Sequence, residues 1–324
     1  MLTAAVAILV GFVILIWSAD LFVAGAASLA ENMGLSPTII GLTIVSLGTS
    51  APEVLVSITA ASAGAGEMAI GNAIGSNIAN VGLVLGVTVL IAPLFVRSSC
   101  MRRELPTLLV ATFAVGLLLI DGELSRIDGY LMMAALVFIL VQMVRSQSHD
   151  STLIEDADEE PMPHLKPLRA WITFAIGLLL LIASSRLLVW GAVDIAGELG
   201  VSKLVIGLTV VAVGTSLPEL AATIASALRG HAEIALGNVI GSNLFNLLAV
   251  MSIPGLIAPE DLDHSVMTRD YPAMTVAMLL LALAIYVGRR RSAAPAGHTY
   301  IGRSIGLLLV SLYAMYYYWL LLTI

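Results

Sequence analysis

The sequence predicts an all-α membrane protein of ten transmembrane helices, arranged as two inverted five-helix repeats. Three observations carry this expectation. Of 324 residues, 59% are hydrophobic and 11% charged, whereas a soluble domain holds about 25% charged residues. Apolar runs of roughly 20 residues, long enough to cross a hydrocarbon core about 30 Å thick, recur along nearly the whole chain. The chain also repeats its own polar spelling: GTSAPE at 48–53 returns as GTSLPE at 214–219, and GNAIGSNIAN at 71–80 returns as GNVIGSNLFN at 237–246.

The first run, 2–30, has no basic residue before it and exceeds the apolar core of a signal peptide, so it reads as a retained helix. The second, 36–63, carries GTSAPE, and the third, 68–93, carries GNAIGSNIAN. The fourth and fifth, 104–120 and 127–145, are plainly apolar. After the acidic stretch SHDSTLIEDADEEP the series restarts at 170–196, 201–228 and 233–257, with the motifs again in its second and third members, and closes at 270–288 and 304–323. Long unbroken runs favour helices over a barrel, because each helix satisfies its own backbone in lipid.

Glu53 and Glu219, Gly71 and Gly237, and Asn80 and Asn246 are each 166 residues apart. The same offset pairs Gly11 with Gly177, Gly25 with Gly191, and Arg103, Glu104 and Pro106 with Arg269, Asp270 and Pro272. The expected domains are therefore a first repeat at 1–146 (motif region 41–80), a linker at 147–168 and a second repeat at 169–324 (motif region 207–246). Five spans are an odd number, so the copies enter the membrane from opposite faces. Arg97, Arg102, Arg103, Arg145, Lys166, Arg169, Arg229, Arg289, Arg290, Arg291 and Arg303 fall on one side, against Arg126, Lys203 and Arg269 on the other. The rich side is expected to be cytoplasmic, with both termini outside and the linker inside.

The linker supplies much of the net charge of −7, which gives no reason to expect a nucleic-acid partner. Glu155 to Glu160 lack the glycine and spaced ligands of an EF-hand, so a solvated tether is expected there. Cys100 is the single cysteine, which excludes an internal disulfide and suits packing or a surface thiol.

Pro52 has no N–H, so the carbonyl of Gly48 loses its helical donor, and Pro218 does the same to Gly214. A break at membrane depth is tolerated where it lines a cavity or is repaired by neighbours, and freed carbonyls are good ligands for hard cations. Thr49 and Ser50 stand four and three residues before Glu53, on one helix face, as Thr215 and Ser216 stand before Glu219. Asn72, Ser76 and Asn80 form a second stripe, repeated as Asn238, Ser242 and Asn246. These side chains offer oxygen and no imidazole or thiolate, which points to Na⁺, Ca²⁺ or related hard ions. A carboxylate at bilayer depth costs several kcal/mol, so Glu53 and Glu219 need a divalent cation, two monovalent ones, or protons. Helix packing explains single hydroxyls and small residues well, Gly71 and Gly75 included. It does not explain an embedded glutamate after proline, repeated with its whole polar stripe.

On these doubled motifs, across the whole ten-span plan, the sequence resembles the calcium/cation antiporter superfamily, the Na⁺/Ca²⁺ exchanger proteins, in its compact prokaryotic form. The resemblance implies a secondary active cation antiporter that exports Ca²⁺ against Na⁺ by alternating access, with H⁺/Ca²⁺ or K⁺-linked exchange as the alternative. It implies ion-site positions Ser46, Thr49, Ser50, Glu53, Ser76 and Asn80 in one repeat and Ala212, Thr215, Ser216, Glu219, Ser242 and Asn246 in the other. Ser46 and Ala212 would act through backbone carbonyls. Some prokaryotic members carry Asp where Asn246 stands, so a third carboxylate is absent here and the coupling ion stays open. The resemblance further implies that the first and sixth helices slide across the rest. These helices carry Ser18 and Asp20, and Ser184 and Arg186; the two charges either gate the moving pair or sit at a wet helix end, and Asp194 and Glu198 are expected at the membrane interface. A channel is disfavoured by the inverted repeats. An enzyme is disfavoured because no nucleophile or histidine accompanies the glutamates. The expected partners are inorganic cations and lipid, with no cofactor and no obligatory protein partner. The expected location is the cytoplasmic membrane of a prokaryote.

Overall fold

The computed structural model describes residues 1–97, 103–147, 165–200, 212–288 and 298–323. Helix α1 (Leu2–Met33) ends where Gly34 turns left-handed at φ 63°, its amide bonding the carbonyls of Ala30 and Glu31. Helices α2 (Pro37–Thr49) and α3 (Ala51–Ser62) make one span bent by 44°. The bend falls at Ser50, and Pro52 sits in the first turn of α3, where its missing N–H leaves no interior bond unmade. Then come α4 (Gly66–Ile91), α5 (Glu104–Asp121) and α6 (Arg126–Gln147). The second half repeats the series as α7 (Pro167–Glu198), α8 (Ala212–Thr215), α9 (Leu217–Leu228), α10 (Ala232–Ile257), α11 (Val266–Gly288) and α12 (Arg303–Thr323).

Among the described residues, seven helices are long and apolar enough to cross a membrane, or eight with the bent pair as one span. Ten were expected. The seventh expected span is reduced to the 12 residues of α9 behind α8, because 201–211 lie outside the described residues; the tenth coincides with α12. The acidic stretch and Cys100 also lie outside them.

Apolar side chains cover the outside, and a set of polar ones is buried within a mainly apolar interior. Leu9, Phe12, Val13, Ile16 and Trp17 of α1 face outward, while Ser18 is fully buried. The two striped helices form the centre: 94% of the most apolar window of α10 and 72% of that of α4 are buried, against 28% to 39% for the other long spans. Equivalent helices α1 and α7 run antiparallel in direct contact. A Cβ on Gly25 would come within 2.5 Å of Phe174 N, and one on Gly177 within 2.5 Å of Phe22 N. Further along, Gly11 meets Leu188 and Gly191 meets Ala4 in the same way, so the glycines that match between repeats set the spacing of this pair.

Two short antiparallel ribbons cap the bundle: β1 (Leu94–Arg97) pairs with β4 (His298–Ile301), and β2 (Glu123–Leu124) with β3 (Glu260–Asp261). Beside the first ribbon, Arg97 Nε and Nη2 donate to Glu233 Oε1 and Oε2 at 2.6 and 3.2 Å. Thr38 Oγ1 donates to the same carboxylate at 3.3 Å, tying the first turns of α2 and α10 together. A Cβ on Gly237 would meet Thr38 O at 2.8 Å and one on Gly241 would meet Leu42 O at 2.4 Å. At this face, which carries loops 34–36 and 229–231, α2 and α10 are in backbone contact.

Candidate ion-binding site

Glu53 and Glu219 lie in the first turns of α3 and α9, just past the two prolines, and each is 1% exposed. Neither side chain faces outward. Ser50 Oγ donates to Glu219 Oε1 at 3.2 Å, across the repeat boundary. Thr49 Oγ1 donates to Asn238 Oδ1 at 3.2 Å and approaches Ser242 Oγ at 3.5 Å, also across it. The motif residues of both halves therefore meet at one place.

Several polar atoms here are buried and find no hydrogen-bond partner in the protein: both carboxylate oxygens of Glu53, Glu219 Oε2, Ser216 Oγ, and both amide heteroatoms of Asn80 and Asn246. Buried polar groups in folded proteins are mostly satisfied, so these unpartnered oxygens suit a hard cation cargo. Asn80 and Asn246 each open a π-helical segment, Asn80–Leu85 and Asn246–Val250. Such turns interrupt the α-helical ladder and recur at functional sites. Ser46 is fully buried and donates its hydroxyl to Leu42 O at 2.6 Å, while its carbonyl accepts from Ser50 N at 2.9 Å and lies 3.3 Å from Thr49 Oγ1. Ser76 is 5% exposed, and Thr215 ends α8 beside Ser216. Ala212 starts α8. Among the described residues, no group of three His, Cys, Asp or Glu is placed to hold a metal.

Asn72 and Asn238 each donate through the amide nitrogen, Asn72 Nδ2 to Glu53 O at 3.3 Å and Asn238 Nδ2 to Glu219 O at 3.5 Å, while Asn238 Oδ1 accepts from Thr49. One feature corrects the sequence reading. The carbonyl of Gly214, freed by Pro218, accepts from Ser185 Oγ of α7 at 2.9 Å instead of remaining available to an ion. Ser185 was overlooked because its role depends on packing between distant helices; the only sequence signal was that Gly214 needed a donor from elsewhere. Asp20 pairs with Arg229 Nε at 2.9 Å, while its equivalent Arg186 is exposed; neither touches the glutamates. Glu198 lies at the end of α7 and binds the N-terminal amine at 3.0 Å.

A family model described as sodium/calcium exchanger protein matches residues 3–145 and 169–322. The chain belongs to the sodium/calcium exchanger family. Among similar proteins, the putative antiporter CaxA of Alkalimonas amylolytica is 47% identical over 90% of this chain and 92% of its own length. The inner membrane protein YrbG of Escherichia coli K12 is 39% identical over 99% and 98%. The sodium/calcium exchanger MaX1 of Methanosarcina acetivorans is 32% identical over 87% and 91%. The solved sodium-calcium exchanger NCX_Mj, soaked with 2.5 mM Na⁺ and 0.1 mM Ca²⁺, superposes with a TM-score of 0.79 at 31% identity, covering 96% of both chains. Like other sodium/calcium exchangers, the chain is a helical, multi-pass membrane protein, a cation antiporter and not an enzyme.

Proposed function

We propose that this exchanger moves Ca²⁺ out of the cell in exchange for Na⁺, at a single site held by Glu53 and Glu219. The observation that carries the reading is the pair of buried carboxylates from opposite repeats, three of whose four oxygens have no protein partner. Two negative charges match one Ca²⁺ or two monovalent cations, and competition for that neutralising role is the basis of exchange. Thr49, Ser50, Ser76, Asn80, Thr215, Ser216, Ser242 and Asn246 supply neutral oxygens, and Ser46 and Ala212 supply backbone carbonyls. The molecule works as two inverted five-helix repeats, 1–146 and 169–324, joined by a cytoplasmic linker at 147–168. The face with most arginines lies inside, which puts both termini outside.

The amide at 246 favours a second reading, in which protons replace Na⁺, because two carboxylates can be neutralised by two protons as well. The deciding experiment is ⁴⁵Ca²⁺ uptake into proteoliposomes under imposed Na⁺, K⁺ or H⁺ gradients. Uptake driven by the Na⁺ gradient alone is expected. Uptake that follows only the pH gradient overturns Na⁺ coupling.

A further inference from the structure

Among the described residues, α11 and α12 both pack on α4 and scarcely on each other. The space between them is a groove of about 530 Å³, within the range of about 300 to 1,000 Å³ typical of ligand pockets. Its rims are exposed, at Val276 of α11 and at Met315 and Trp319 of α12, and its floor is the buried Ile78 and Val81 of α4. Along α11 it runs from Thr268 to Leu280, about 18 Å at 1.5 Å per residue. That is a little over half of a hydrocarbon core about 30 Å thick. The groove therefore opens sideways to lipid and reaches from one membrane surface to midway across.

Its polar end is the mouth, next to the loop at 258–265. There Arg269 Nε and Nη2 donate to Asp270 Oδ1 and Oδ2 at 2.7 and 3.0 Å, and Tyr316 Oη of α12 donates to Asp270 Oδ1 at 3.1 Å. The two charged side chains keep 15% and 17% of their surface exposed, so each can still meet a ligand. Both stand in the π-helical turn Val266–Asp270 that opens α11, a geometry frequent at functional sites. The first turn of a span is also the level of lipid headgroups. A positive and a negative group thus lie side by side with no net charge between them, and the preceding loop adds Glu260, Asp261 and Asp263. An anionic headgroup would find Arg269 already neutralised and further acids nearby. A zwitterion fits better, with phosphate towards Arg269 and ammonium towards Asp270.

We infer that this groove binds one phosphatidylethanolamine molecule, its headgroup on the Arg269–Asp270 pair and one acyl chain between α11 and α12. The chain rests on the stretch of α4 from Ile78 to Gly82, which includes Asn80 of the candidate ion site. Lipid binding can be read without transport, so it stands or falls apart from the proposed exchange of Ca²⁺ for Na⁺.

The test titrates the full-length protein, stripped of lipid in detergent, with phosphatidylethanolamine or phosphatidylglycerol of identical acyl chains. Native mass spectrometry gives the dissociation constant of the first lipid retained. Phosphatidylethanolamine is expected to bind at least about tenfold more tightly, the factor that one hydrogen bond to a charged group represents. Asp270→Asn leaves Arg269 without its countercharge and is expected to turn the order in favour of phosphatidylglycerol, which a merely structural role for Asp270 would not do. Ala277→Trp fills the groove and is expected to weaken the first phosphatidylethanolamine to the level of the lipids that follow it; Ala277→Leu is expected to act in the same direction should the larger side chain prevent folding. Equal affinities for the two lipids in the unsubstituted protein, or an order that Asp270→Asn leaves unchanged, overturn the inference. So does a dimer that forms without retained lipid and is lost in Ala277→Trp, because a second copy of the chain would then be the occupant.

Discussion

At the scale of single residues, the site depends on two charges that nothing nearby in the chain compensates fully. Replacing one by an isosteric amide leaves the divalent ion short of one neutralising charge in a buried environment. Breaking a buried charge pair costs at least about 3 kcal/mol, more than a hundredfold in affinity. Glu53→Gln and Glu219→Gln are each expected to reduce ⁴⁵Ca²⁺ exchange by that factor, and full exchange in either would remove that residue from the site. Asn246→Asp adds a third carboxylate at a position where neither amide heteroatom has a protein partner, and is expected to change the preference among Na⁺, K⁺ and H⁺ gradients in the same uptake assay. An unchanged profile would show that residue 246 does not face the ion. Both glutamates were legible in the sequence because a repeated charge in an apolar run has few bland explanations. The donor role of Asn72 and Asn238 was not legible, since an amide carries both a donor and an acceptor and only the neighbouring carbonyl decides which end is used. Ser185 was not legible either, because a serine in a helix gives no sign of a partner 29 residues away.

At the scale of elements, bilayer thickness made the spans readable. Expected and observed limits agree closely for α1, α4, α5 and α6, and the bend was placed correctly by Pro52. The π-helical segments at Gly41–Val45, Asn80–Leu85, Asn246–Val250 and Val266–Asp270 had no sequence signature, because a change of ladder register leaves the hydrophobic pattern nearly intact. A methyl at Gly241 meets Leu42 O at 2.4 Å and Ser46 Oγ at 2.5 Å. Gly241→Ala must push backbones apart, at a cost of about 1 to 3 kcal/mol by overpacking. Thermal unfolding in detergent is expected to show a lower midpoint for Gly241→Ala; an unchanged midpoint would mean that the contact between α2 and α10 is not a feature of the protein in solution.

At the scale of the whole molecule, α1 and α7 form a pair of their own, and polar ties connect it to the remaining bundle. Ser185 of α7 reaches Gly214 and Asp20 of α1 meets Arg229 at the end of α9, while Asn32 Nδ2 of α1 donates to Leu165 O just before α7, within the pair. The ion pair is half-exposed, so it contributes at most about 1 kcal/mol and resists relative movement only weakly. His231, two residues on, is buried at the start of α10 within reach of the charges of Arg229 and Glu31. Burial, followed by Arg229, lowers its affinity for protons below that of an ordinary histidine, with Glu31 opposing. The sign follows from linkage: the unfolded chain binds the proton more readily, so His231 supports folding above its ordinary pKa of 6.5 and loses that support as pH falls towards its lower folded value. The thermal midpoint in detergent is therefore expected to decline between about pH 6.5 and 5, the range in which an ordinary histidine takes up its proton. His231→Gln is expected to flatten that decline while leaving the midpoint near pH 8 close to its original value. A slope unchanged by the substitution would assign the acid sensitivity to other groups and leave the junction of α1, α9 and α10 indifferent to protons.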